Sequence, residues 1–265
     1  MSVILTDSDL KAIDLAREAL YRFLAAALTD PRSPGAERTL DPVDQRLAVA
    51  AADLLRAEAE IDPVPLGFGE LSPAQLDLTE AVEGLSGPPE ELEAEYDRAF
   101  GLVAVRECPP YETEYCPNSE PFFRTQQMAD VAGFYGAFGL TGSTARRERP
   151  DILTRELEFM AHLLLLTRLA EEGKIPDPSG ERAAVAANAA RMFFRDHLSW
   201  WVPSFARGLA HRAGGGPYAA LARVLAAFLP TERGRLGVKA PKSPVRAADE
   251  RADSSTECAG CALVP

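Results

Sequence analysis

The chain has 265 residues, a formal net charge of -12 and 46% hydrophobic residues, enough to bury a sizeable core. From Glu58 to Asp97 it carries twelve carboxylates and no Lys or Arg. A field of that sign disfavours nucleic acid and anionic membrane surfaces and favours a basic partner.

In chain order, Asp7, Ser8 and Asp9 offer caps for a first helix. Leu10, Ile13, Arg17, Leu20, Leu24 and Leu28 then recur at three- and four-residue steps, with Arg17 the one polar entry and Phe23 widening the stripe. Thr29-Asp30-Pro31 ends it. A second helix is expected from about Pro42 to Glu60, before Pro63, Pro65, Gly67 and Gly69 break the chain. A third is expected from Pro73 to about Leu85, and a fourth over Glu90 to Phe100, where Leu92, Tyr96 and Phe100 share a face.

The stretch from Cys108 to Pro121 holds four prolines, which predicts a long loop. Residues 123 to 138 return to helical spacing, with Gly139 as a C-cap. A basic loop (Arg146, Arg147, Arg149) leads to Pro150 and Asp151, which suit the first turn of a long helix to about Glu172. Further helices fit Gly180 to Leu198, Trp200 to His211 and Pro217 to Phe228. No alternating strand pattern stands out. The expectation is an all-α fold: one compact bundle of eight or nine helices over residues 1–230, followed by a flexible tail over 231–265.

The N-terminus has no cationic start, long apolar stretch or cleavage site, so it does not read as a secretory signal. The densest apolar run, Phe159 to Leu166, is far short of the ~20 residues a membrane span needs. These features predict a cytoplasmic protein with no stable membrane insertion.

The usual catalytic constellations are missing. There is no phosphate-binding Gly-rich loop with a following Lys, and no strand-borne GxGxxG. His162, His197 and His211 fall on three predicted helices without a His or Cys at metal-ligand spacing. His162, inside an apolar helix, reads as a packed core histidine. Cys258-Ala-Gly-Cys261 supplies half of a tetrahedral metal site, which Cys108 and Cys116 would have to complete; a metal or redox carrier acting through Cys258 and Cys261 is the alternative function. No cofactor is called for.

Tyr96, Phe100, Tyr111, Tyr115, Phe122 and Phe123 interleave with Glu93, Glu95, Glu112, Glu114 and Glu120. Aromatic faces take up an apolar segment and carboxylates pair with Lys or Arg, so the region reads as a peptide cleft. At this point five pieces, in order, resemble the TorD/DmsD/NarJ family of chaperones that mature molybdenum-containing oxidoreductases. Glu91 to Phe100 resembles the family's acidic helix ending in Tyr-x-Arg-x-Phe. Pro109-Pro110-Tyr111-Glu112-Thr113-Glu114-Tyr115 resembles its Pro-Tyr-Glu-Ser loop, and Val131 to Leu140 the helix that follows. Arg149-Pro150-Asp151-Ile152 through Glu156-Leu157 resembles its Pro-Asp-His-x-x-x-Glu-Leu signature, with Ile152 where the family usually has His. His197-Leu198-Ser199-Trp200-Trp201-Val202-Pro203 resembles its His-Leu-x-x-Trp-x-Pro stretch.

The resemblance implies a non-enzymatic cytoplasmic chaperone. Its partner would be a molybdoenzyme catalytic subunit, bound in the apo form and through a twin-arginine signal peptide, until the cofactor enters and export begins. It assigns Tyr96, Phe100, Pro110, Tyr111 and Glu112 to the apolar and hydrogen-bonding walls of the peptide site. Pro150, Asp151 and Glu156 complete it, the two acids as charged contacts.

Overall fold

A computed structural model describes residues 6–34, 36–61, 63–101, 108–117, 120–140 and 148–246. Helix α1 (Asp7–Ala27) begins in a capping box: the Thr6 hydroxyl accepts from the Asp9 N–H and the Asp9 carboxylate accepts from the Thr6 N–H. Its stripe buries Ile13, Leu20 and Leu24 as expected, and Arg17 with them. Arg17 is drawn inward by Glu232, which accepts from Nε at 2.5 Å and Nη2 at 2.9 Å. Helix α2 (Pro42–Ile61) packs on α1.

The single helix expected from Pro73 to Leu85 is broken. A 3-10 turn (Pro73–Gln75) is followed by α3 (Thr79–Leu85). Between them Leu76 and Leu78 are both buried, and Asp77 caps the Thr79 N–H at 2.8 Å. An unbroken helix would have turned those two leucines, two positions apart, to different sides. Helix α4 (Pro89–Phe100) sets Tyr96 and Phe100 against Tyr218, with ring centroids 5.6 and 5.5 Å from that ring.

After the loop come α5 (Pro121–Ala137), α6 (Leu153–Glu171), α7 (Arg182–Phe193) with a π-helical turn (Phe194–Leu198), α8 (Val202–Ala213) and α9 (Gly216–Leu236). Helix α1 lies against α2 and α6, α6 against α7, and α9 against α8 and α3. Apolar residues on every side of α9 are buried, as befits a helix in the middle of the bundle. The all-α expectation holds among the described residues: an isolated bridge between Tyr111 and Ile152 takes the place of any strand. No described helix is long and apolar enough to cross a membrane.

The expected boundary at Pro230 is corrected. Helix α9 runs through Pro230 to Leu236 because the next three residues are anchored. Thr231, Glu232 and Arg233 are buried, Glu232 on Arg17 and Arg233 on Glu70 at 2.8 Å. Beyond the helix, the Phe68 N–H donates to the Pro241 carbonyl and the Val245 N–H to the Ser204 hydroxyl. The segment through Arg246 thus belongs to the body, and Cys258 and Cys261 lie outside the described residues.

The acidic run is less bare than its sequence suggests. Arginines of α9 reach back to it: Arg235 to Glu58 at 3.1 Å, Arg233 to Glu70 and Arg223 to Glu80 at 2.6 Å.

Candidate functional site

Two loop segments cross beside the start of α6. The Glu112 N–H donates to the Asp151 carbonyl and the Leu153 N–H to the Pro110 carbonyl, both at 3.0 Å. This short antiparallel strap keeps Pro150 and Asp151 outside the helix, which opens with Ile152 as its N-cap. Asp151 therefore does not serve the first helical turn as expected. Its buried carboxylate accepts from the Thr113 N–H at 3.1 Å, the Thr113 hydroxyl at 2.8 Å and the Arg149 guanidinium at 2.8 Å.

Arg149 also donates to Glu114 at 2.9 Å, and its guanidinium lies 4.3 Å above the Tyr111 ring. A second arginine repeats the arrangement. Arg32 lies 5.8 Å from the centre of the Tyr96 ring and donates to Asp30 at 2.8 Å and Asp97 at 2.7 Å. Both tyrosine rings are half-buried. Burial raises the pKa of both hydroxyls, keeping them protonated hydrogen-bonding groups.

Of the eight expected peptide-contact residues, Tyr96, Pro110, Tyr111 and Pro150 reach the surface and the other four do not. Phe100 is packed between Tyr96 and Tyr218. Glu112, expected in the hydrogen-bonding wall, and Asp151 and Glu156, expected as charged contacts, have no exposed surface. Glu112 accepts from Gln127 at 2.9 Å and Trp200 at 3.2 Å, and stands 3.1 Å from His197 Nδ1. Burial pushes its carboxyl above the ordinary range, and these neighbours pull part of the way back. Glu156 differs: among the described residues neither carboxyl oxygen has a well-formed hydrogen bond, and the Trp201 indole is the donor that stands near it. The nearby Trp201 indole donates to the His197 carbonyl.

Burial, then the charges of Glu112 and Asp151, raises the Glu156 carboxyl well above its usual value and so favours its protonated form in the folded protein. The unfolded chain ionises it above about pH 4.5. Its contribution to stability is thus full below that pH and is lost as pH rises toward the folded value. Glu156→Gln keeps the shape without the titration. Thermal melts across pH should show the variant gaining on the natural protein as pH rises and matching it in acid; a constant difference between the two would refute the assignment.

The concave surface that sequence reasoning missed lies elsewhere. A cavity of about 880 Å³ opens between α1, the segment through residues 29–39, α2 and α6. Leu15, Ala19, Phe23, Leu47 and Leu165 line it, with Glu18, Glu37, Asp44 and Glu158 against Arg22 and Arg168. Leu15 and Leu47 stand 45% and 50% exposed on facing walls. His162, expected in the core, is half-buried on this wall and its Nε2 has no hydrogen-bond partner. A signal for the groove was present: Leu15, Ala19 and Phe23 form a second stripe at four-residue steps beside the main one. Among the described residues no group of three or more His, Cys, Asp or Glu could hold a metal ion; Cys108 is buried against the Phe205 carbonyl.

Comparison with known proteins finds relatives of this chain. A family model described as nitrate reductase delta subunit matches residues 70–207. The selenate reductase assembly chaperone of Thauera selenatis is 34% identical over 58% of this chain and 74% of its own length. The chlorate reductase assembly chaperone of Ideonella dechloratans is also 34% identical, over 58% of this chain and 75% of its own. Chaperone protein TorD of Vibrio cholerae is 28% identical over 54% and 56%. The matched region runs from the acidic segment through the strap, the buried carboxylates and the start of α8, and the chain belongs to the nitrate reductase delta subunit family of TorD/NarJ-type maturation chaperones.

Proposed function

We propose that this protein is a cytoplasmic assembly chaperone for a molybdenum-containing reductase, holding the N-terminal, signal-peptide-like segment of the apo catalytic subunit until its cofactor is inserted. The observation that carries this reading is the double use of one turn. Thr29 and Pro34 line the groove, while Asp30 and Arg32 between them belong to the Tyr96 region. An apolar seat and a cation-recognising surface thus share a wall, which suits a segment that is cationic and then apolar.

The cation-recognising character follows from what that surface already holds. Arg32 and Arg149 each lie over a tyrosine ring and are gripped by carboxylates. Guanidinium over an aromatic face with carboxylates at its edge is a favourable arrangement for any arginine, from this chain or another. Incoming arginines would exchange with these two rather than enter an empty site. Release must stay possible, so micromolar affinity, about 8 kcal/mol, is sufficient.

The test is binding of a synthetic peptide carrying an arginine pair followed by an apolar stretch. Leu15→Asp with Leu47→Asp puts two charges where apolar contact is expected and should weaken binding at least about tenfold, roughly 1.4 kcal/mol. Binding should also weaken with added salt. Unchanged affinity in the double variant would remove the groove from the reading.

A further inference from the structure

Helix α5 rests lightly on the bundle. Of its 17 residues only Val131 is buried. It is held by the half-buried rings of Phe134, Tyr135 and Phe138, which pack on Phe159 at 6.4, 4.9 and 5.9 Å. Two polar contacts reach further in. Gln127 donates to Glu112, and Asp130 stands 3.4 Å from His197 Nε2. Phe122 at its start is 72% exposed. A helix with so little buried apolar surface is among the first elements to move.

Near Tyr135 of this helix lies a carboxyl without a hydrogen-bond partner among the described residues. Glu156 is fully enclosed with both carboxyl oxygens unpaired, an arrangement native proteins rarely keep without a reason. Its charged and titratable surroundings are Glu112 from the strap, Asp151 just before its own helix, Tyr135 from α5, and Arg155 beside it in sequence. Arg155 is turned outward to the Glu148 carbonyl. Asp151 is satisfied by Arg149 and Thr113, and the Tyr135 hydroxyl donates to the Pro150 carbonyl at 2.9 Å. Glu156 is therefore a buried acceptor whose neighbouring donor, the Trp201 indole, is directed to the His197 carbonyl.

We propose that Glu156, with Glu112 beside it, is a concealed seat for a guanidinium of the bound client segment, opened when α5 lifts. The ligand class follows from the neighbourhood. A few residues away the same strap holds the guanidinium of Arg149 by a carboxylate, a hydroxyl and a tyrosine face. A planar, five-donor group fits two unpaired carboxyl oxygens side by side. The proposal rests on the peptide-holding reading above and adds to it a proton. Burial favours the proton on Glu156 when the seat is empty and a bound cation favours its loss, so binding releases a proton to solvent. Affinity then rises with pH, about tenfold per unit between the filled-state and empty-state titrations of Glu156.

The experiment is calorimetric titration of the full chain with the arginine-pair peptide, in two buffers of different ionisation enthalpy, alongside Glu156→Gln. The natural protein is expected to release close to one proton per peptide bound, and Glu156→Gln to bind without release and with an affinity flat in pH. Amide exchange of the natural protein should quicken over α5 on binding, a readout that needs no variant. Binding with no proton release, equal release from Glu156→Gln, or unchanged exchange over α5 each overturns the concealed seat while leaving the chaperone reading standing. Failure of the peptide to bind under any condition overturns both.

Discussion

Replacing Arg17 by methionine lowers the unfolding free energy by about 3–5 kcal/mol. Arg17 and Glu232 are joined by two hydrogen bonds at 2.5 and 2.9 Å, with 7% and 0% of their side chains exposed. Methionine fills similar volume, so the loss comes from the Glu232 carboxylate left buried without its counterion rather than from a cavity. Asp14, the other partner of Arg17, is half in water and adds little. The enclosed Tyr21 hydroxyl sits near the same carboxylate and is held protonated, so it can only soften the loss. The double variant Arg17→Met, Glu232→Leu should recover most of the loss, since a matched apolar pair does not carry the desolvation cost of two charges. Denaturant unfolding of the two variants measures this. A single variant within about 1 kcal/mol of the natural protein would mean that Glu232 reaches water or another partner.

Phe159→Ala costs a comparable amount, about 3–5 kcal/mol, with a different signature. Phe159 is buried and packs edge-on against Phe193 at 4.7 Å and Tyr135 at 4.9 Å. It is the floor under all three aromatic rings by which α5 is attached. Its removal should free α5 locally before the bundle unfolds as a whole, so amides of α5 lose protection at denaturant concentrations where α9 keeps its own. Phe122→Ala, on the same helix but exposed, should stay within about 0.5 kcal/mol. If α5 and α9 lost protection together in Phe159→Ala, the helix would be part of the cooperative core and unsuited to lifting.

Most of the helices were legible from local pattern. The start of α1, expected at Asp7 to Asp9 and found one residue earlier at Thr6, the stripe through Ile13, Leu20 and Leu24, and the Pro and Gly breaks act within a few residues of one another, where sequence is a direct record of contact. The break at Leu76–Leu78 was missed because its cause is the core beneath both leucines. The site was legible in part. Tyr96 and Tyr111 were picked out in sequence and do reach the surface, whereas the burial of Glu112 and Glu156 is decided only when the helices close over them.

By itself, then, the sequence determined the all-α character, the order of elements, the excess of acid and the motifs that carry the family likeness. Only the tertiary structure decided which charges face water. Glu232 and Arg233 read as the start of a polar tail because their partners Arg17 and Glu70 stand 215 and 163 residues away. The groove likewise needs α1, α2 and α6 at once. Helical periodicity says which residues share a face, but the element that meets that face is chosen by packing across the whole chain, and with it whether a carboxylate is a surface charge, an ion-pair partner or, as at Glu156, a buried acid awaiting a donor.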